Sequence, residues 1–253
     1  MGSSPKSYRG LVSSDWNECL APCGPFDPLI HAWPELEPEL QRIFRSYTGS
    51  EITLGRAAER VRELLPEPLP RESMDRYLES RFATYRGVPE LLAWCRENGI
   101  LVLINTTGFA GYFQRAFALG LLPPIDALSA HPLVVYPKGA RDPQRILELG
   151  ETEDKGLHTE KILQAHGIPP SRAVVVGDSG GDGPHFAWAA ANGALTVGSM
   201  TKPSLQSFLE RRNIRIDHRI GPSYAPGEPV NRRAEMEVDL MELSRFLTDR
   251  LLK

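Results

Sequence analysis

Short, continuous apolar runs that stop abruptly at small or acidic residues constrain this chain more than any other feature. Residues 8–14 (YRGLVSS) end at Asp15, residues 100–105 (ILVLIN) lead into Thr106-Thr107-Gly108, and residues 173–176 (AVVV) give way to Gly177-Asp178. Another run, residues 194–197 (ALTV), follows the Ala-rich stretch 186–192. Strands that are apolar throughout, rather than at alternate positions, are covered on both faces. Helix-like stretches such as 88–98 lie between the runs. Short β-branched strands alternating with helices predict βα units and a Rossmann-like, doubly wound parallel α/β sheet.

Residues 21–83 break the pattern. They open with Pro22, Gly24, Pro25 and Pro28, then turn charged and helix-like over 39–47, 54–65 and 72–82. Ala57, Ala58, Val61, Leu64 and Leu65 recur at helical spacing, and no run here reads as a buried strand. The spacing predicts a small helical cap over 21–83, inserted between the first strand and the return to the sheet near Gly87. Residues 1–20 and 84–253 then form the core domain. Pro66, Pro68 and Pro70 end one cap helix, because an interior proline breaks the hydrogen-bond ladder. A short strand over 218–220, a Gly/Pro-rich loop over 221–229 and one closing helix over 235–252 complete the expected order.

The 253 residues are 41% hydrophobic and 24% charged, ordinary for a globular protein, and a formal net charge of -3 offers no basic excess to hold nucleic acid. Cys19, Cys23 and Cys95 cannot all pair, and their spacing fits neither a disulfide framework nor a zinc site. The polar lead-in 1–9 has no signal-peptide apolar region, and no stretch is long enough to span a membrane. A cytoplasmic protein with no membrane partner is therefore expected. Gly2-Ser3-Ser4 is left out of the fold reading.

Each buried run carries polar groups at its carboxyl end, the edge where open parallel sheets bind ligands. Asp15 could attack phosphorus, coordinate a cation or cap the following turn, and its own context leaves all three open. Thr106, Thr107 and Gly108 read as a turn at a helix start, whose hydroxyl and amides either hold an anion's oxygens or cap the helix. Asp178 and Asp182, four apart in GDSGGD, can converge on one hard cation with room for water and phosphate. Lys155 can offset charge on a phosphoryl group and an attacking carboxylate, with Lys161 as a nearby competitor.

In this order the segments resemble the haloacid-dehalogenase-like (HAD) superfamily, above all its phosphoserine-phosphatase-like branch. Asp15 stands at the position of the nucleophile, and Thr106 of TTGF at the Ser/Thr position where relatives often carry SGGF. Lys155 matches the lysine position, and GDSGGD resembles the acidic metal motif. The resemblance covers nearly the whole chain, and the insertion at 21–83 falls where the family places its helical cap. It implies a magnesium-dependent phosphohydrolase of a small phosphorylated metabolite, working through an aspartyl-phosphate. Asp15 would be the nucleophile, and Asp15, the Asn17 carbonyl, Asp178 and Asp182 would serve Mg²⁺. Thr106 and Lys155, with Thr107 and Gly108, would surround the phosphoryl group. Arg60, in YTGSEITLGRAAER, matches the substrate-binding arginine of phosphoserine phosphatases, and equally fits a solvated helix arginine beside Arg56 and Arg62.

One position departs from the pattern. Phosphatases of the family usually carry a second aspartate two residues after the nucleophile, which protonates the leaving group and then activates water. Here that residue is Asn17, followed by Glu18 and Cys19 where Gly and Thr are common. Such acid–base help is worth roughly 10²–10⁴ in rate, so alkyl phosphates should turn over poorly and acyl or aryl phosphates suffer less. Dehalogenating relatives need no magnesium, which the Asp178/Asp182 loop argues against. Phosphonatases use a cap lysine, and no lysine occurs between Lys6 and Lys138. Two further readings stay open: a protein that binds a phosphorylated ligand without turnover, and a phosphotransferase.

Overall fold

The computed structural model describes residues 7–49 and 51–253, so Gly2-Ser3-Ser4 lie outside the described residues. The central strand is β1 (Gly10–Ser14), and after it come α1 (Asp27–Ala32), α2 (Glu37–Thr48), α3 (Leu54–Leu64) and α4 (Arg71–Arg81). The chain returns through α5 (Val88–Glu97) to β2 (Ile100–Phe109), then α6 (Ala110–Ala118), β3 (Ala127–His131) and β4 (Arg145–Glu148). The second half runs α7 (Asp154–His166), β5 (Ala173–Gly177), α8 (Gly183–Asn192), β6 (Leu195–Thr201), α9 (Pro203–Arg211) and β7 (His218–Ser223). It closes with α10 (Arg232–Glu237) and α11 (Leu243–Leu247).

Seven strands form one sheet in the order β4-β3-β2-β1-β5-β6-β7, and every pairing is parallel. The continuous apolarity of the strands has the expected cause, because side chains alternate between two buried faces. Leu11, Leu101, Leu103 and Val175 pack with Ile162, Leu163, Phe186 and Leu205 of α7, α8 and α9. Val12, Val102, Ile104 and Val176 pack with Leu91, Phe113, Phe117 and Leu243 of α5, α6 and α11. The order reverses between β1 and β5, so the ends of β1, β2 and β5 flank a crevice at the switch point.

Three expectations change. The stretch Thr106-Thr107-Gly108 is not a turn at a helix start: β2 continues through Phe109, which pairs with His131 after a register shift, and α6 begins only at Ala110. The closing helix over 235–252 is broken. Asp239 accepts a hydrogen bond from Met241 N (3.0 Å) and pairs with Arg86 (3.3 Å), while Leu240 N donates to the Arg86 carbonyl, so the backbone opens at Val238. Strands β3 and β4 went unforeseen, because ALSAH is short and polar and RILE is a half-exposed edge with charged ends. Gly87 is irreplaceable where the chain returns: its φ is +79°, and an added Cβ would collide with Asp239 and Met241. No helix among the described residues is long and apolar enough to cross a membrane.

Candidate active site

Asp15 follows β1 directly, and its amide donates to the Val176 carbonyl (3.0 Å), continuing the strand pairing for one more residue. The Trp16 amide donates to Asp15 Oδ1 (2.7 Å), and the Trp16 ring is locked edge-on against Phe113. These contacts fix the carboxylate at the floor of the crevice, where it is buried. On β5, Gly177 permits the approach of Asp182, whose Cγ would lie 2.5 Å from any added Cβ. Asp182 Oδ2 then accepts from the amides of Asp178 (2.9 Å) and Ser179 (3.3 Å), folding the loop back on itself.

Lys155, in the first turn of α7, is the only lysine brought to these carboxylates from the sequence candidates; Lys161 is exposed. Its Nζ stands 2.6 Å from Asp182 Oδ1 and 3.4 Å from Asp15 Oδ1, with the side chain 1% exposed. Asn105 Nδ2 donates to the Lys155 carbonyl (2.8 Å) and so ties α7 to the sheet. Thr159 extends the tie by sharing hydrogen bonds with Ser13 and His185 (both 2.8 Å). Gly156 lets the helix sit against Trp188, where a Cβ would approach to 2.8 Å.

Sequence reasoning missed Lys202. It stands just beyond β6, its Nζ 3.0 Å from Asp178 Oδ2 and paired with Glu18, whose other oxygen accepts from Arg232 (2.7 Å). Arg232 in turn meets Glu235 (2.7 Å), a buried carboxylate that also accepts from Tyr85 and Tyr224 (both 3.0 Å). The available signal was a lone basic residue at a strand's carboxyl end, without an acidic motif beside it.

The electrostatics single out an unmet demand for positive charge. Carboxylate oxygens of Asp15, Asp178 and Asp182 lie within 4.8 Å of one another, all buried. Burial raises the pKa of Asp178 well above the carboxylate range despite Lys202, with Asp182 and Asp15 adding repulsion. Asp15 is also raised, by burial first, with Lys155 only partly offsetting it. Asp182 is lowered: burial works against ionisation there, but Lys155 and the Asp178 amide outweigh it. Asp178 Oδ1 is buried with no hydrogen-bond partner. An orphaned oxygen amid converging hard donors fits a divalent cation such as Mg²⁺, which dehydrates reluctantly and favours carboxylates.

Thr106 and Asn17 meet across the crevice. The Thr106 hydroxyl donates to Asn17 Oδ1 (3.3 Å) and accepts from Gly108 N (3.1 Å), while Asn17 Nδ2 donates to the Cys23 carbonyl (3.3 Å). A Cβ on Gly108 would lie 2.6 Å from Asn17 Oδ1, so glycine is needed for this approach. Above the carboxylates opens a cleft of about 600 Å³, lined by Asp15, Asn17, Thr107, Lys155 and Asp178 below. Phe44, Tyr47, Ile52 and Leu54, from α2 and the start of α3, form its roof. Arg60 is half-buried on α3 and is absent from the cleft lining, so the structure does not bring it to the other candidates.

No protein-family profile and no curated sequence matches this chain. Its fold has clear counterparts among solved structures. A phospho-aspartyl intermediate analogue of phosphoserine phosphatase superposes with a TM-score of 0.66 at 22% identity, covering 95% of this chain and 99% of the other. A HAD family hydrolase from Salmonella enterica subsp. enterica serovar Typhi gives 0.68 at 15% identity, over 98% of this chain and 74% of its own. A cytosolic 5'-nucleotidase IIIB bound to cytidine gives 0.59 at 13% identity, over 97% and 88%.

Proposed function

We propose that this chain, folded as the phosphoserine phosphatases and other HAD hydrolases are, is a magnesium-dependent phosphohydrolase of a small phosphorylated metabolite. The observation that carries the reading is the buried convergence of Asp15, Asp178 and Asp182 on Lys155, at the switch point of the sheet. Asp15 attacks phosphorus in line, forming a P–O bond as the leaving oxygen takes up the electron pair. Asp15, Asp178 and the Asn17 carbonyl would hold Mg²⁺, with Asp182 supporting them, and the ion would offset charge on the phosphoryl oxygens. Lys155 and the Thr106 hydroxyl hold the transferring group, with Thr107 and Gly108 beside it. Water then attacks the aspartyl-phosphate, releasing phosphate and restoring Asp15. Asn17 offers that water no base, so this second step is slow. Residues 21–83 act as the cap that roofs the cleft and excludes bulk solvent.

Phosphate release from a panel of phosphomonoesters, with and without Mg²⁺, tests the reading. Release by the parent that requires the metal and disappears in Asp15→Asn is expected. Equal release by Asp15→Asn, or none from any ester, contradicts it. The tethered Asn17 amide favours one competing reading, a pocket that binds phosphorylated ligands without turnover. Tight binding of a phosphomonoester with no release by the parent, restored by Asn17→Asp, would establish that alternative.

A further inference from the structure

We infer that the substrate is an aryl phosphate without a carboxylate, its phosphoryl group leaving a phenolic oxygen; this rests on the phosphohydrolase reading above. Three observations converge on that class: the lack of a proton donor beside the phosphoryl site, the make-up of the roof, and the placing of the cations.

Among the described residues, none beside Asp15 is set to protonate a leaving oxygen. The Asn17 amide is spent on Thr106 and Cys23. Glu18 has both carboxylate oxygens already engaged, one by Lys202 and the other by Arg232. Tyr47 reaches from the roof to within ordinary contact of the metal loop, its hydroxyl 3.5 Å from where a Cβ on Gly181 would stand. Burial raises its phenol well above the usual range, which makes it a hydrogen-bond donor and a poor source of a proton. The leaving oxygen therefore departs as an anion. A phenol, with a pKa of about 10 as in tyrosine, tolerates this far better than an aliphatic alcohol, which is about as weak an acid as water.

The walls agree. Phe44, Tyr47, Ile52, Leu54 and Phe208 all line the cleft and give it apolar, ring-bearing surface suited to a flat aromatic group. About 600 Å³ is ample for a ring bearing a phosphoryl group. Among the described residues that line the cleft, the cations are Lys155, already engaged by Asp15 and Asp182, and Arg211, exposed on α9. Glu51, Glu151 and Glu153 line it as well. Apart from Arg211 at the exposed edge, a substrate carboxylate would meet these acidic side chains and no buried clamp, since Arg60 lies elsewhere.

The test measures kcat/KM with Mg²⁺ for substituted phenyl phosphates of graded leaving-group basicity, phosphoserine and a nucleoside monophosphate. This parameter reports attack by Asp15 and is insensitive to slow loss of the phosphoenzyme. Phenyl phosphate should exceed phosphoserine and the nucleotide by roughly 10²–10⁴, the range that a missing general acid removes. Rates should fall steeply as the phenol becomes more basic, and Asn17→Asp should flatten that dependence. Phe44→Ala, which touches no reacting group, should raise KM for the aryl esters by a larger factor than for phosphoserine. Parity of phosphoserine or the nucleotide with phenyl phosphate, or a flat dependence on the leaving group, overturns the aryl assignment alone. Absence of release from every ester, 4-nitrophenyl phosphate included, overturns the phosphohydrolase reading together with it.

Discussion

At Asp178 one carboxylate oxygen faces Lys202 while the other has no partner. That asymmetry leads to a thermodynamic expectation. Mg²⁺ at about 100 times its dissociation constant should stabilise the fold by about 2.7 kcal/mol, seen as a higher Tm. Asp178→Asn should abolish the increment, and an undiminished increment would move the metal elsewhere. Lys155 makes a second expectation. Its ammonium is enclosed by Asp182 and Asp15, and although burial opposes its charge, the two carboxylates hold its pKa above the usual value. Lys155→Met would leave those carboxylates buried without their cation. A loss of about 3–5 kcal/mol in urea unfolding without metal is expected, the usual penalty for breaking such a pair. Gly108→Ala should act differently: its methyl would press on Asn17 Oδ1, lowering kcat/KM with little change in unfolding midpoint. At this scale Asp15 and Asp178 stand out in the sequence because each follows an apolar run, and the structure brings Asp182 and Lys155 to them. Lys202 and the clasp of Glu18 were not legible, since they depend on a loop brought over from beyond β6.

The helices between β1 and α5 join the remainder through an apolar cluster that includes Met74, Tyr77, Tyr112 and Phe113, and through polar contacts around it. Arg115 of α6 grips Asp75 of α4 through two bonds (2.7 and 3.0 Å), and the Tyr136 hydroxyl donates to the Leu69 carbonyl (3.1 Å). Glu151, on the loop before α7, accepts from the amides of Leu54 and Gly55 (both 3.0 Å), adding to the Thr53 hydroxyl cap on Arg56 N at the start of α3. These are the places where the roof of the cleft would part. Glu151→Ala should therefore hasten hydrogen exchange in the first turns of α3 while global stability falls by only about 1 kcal/mol. Unchanged exchange there would mean that the roof does not open at that edge. Helix α3 was legible from its apolar spacing, and the charged, helix-like stretches 39–47 and 72–82 end within two residues of α2 and α4. The final helix was misjudged because helical spacing over 235–252 is genuine. What breaks it is Asp239, whose preference for capping Met241 is reinforced by Arg86 from a distant part of the chain.

Across the whole molecule, the parallel sheet was legible because its central strands are covered on both faces. The outer strands β4 and β7, with charged or exposed residues, carry little of that pattern. The same burial has a consequence for acid stability. His131, at the end of β3, is lowered to about 4 by burial and then by Arg62, and its Nδ1 accepts from Leu133 N (3.0 Å). In the unfolded chain it would titrate near 6.5, so its contribution is intact above that pH and is lost as pH falls towards 4. The raised Asp15 and Asp178 act with the opposite sign, so the readout is the difference between parent and His131→Asn. Between pH 7 and 4 the parent should lose more stability than the variant, by on the order of 3 kcal/mol. Equal losses would place the ionised histidine in the fold. The central claim concerns Asp15, and it is tested most directly by trapping the protein during turnover of 4-nitrophenyl phosphate and mapping the modified peptide by mass spectrometry. Because Asn17 cannot activate water, a phosphoryl group should accumulate on Asp15 and be absent from Asp15→Asn. Phosphate release without any modification of Asp15, or a phosphoryl group on another residue, would contradict the account.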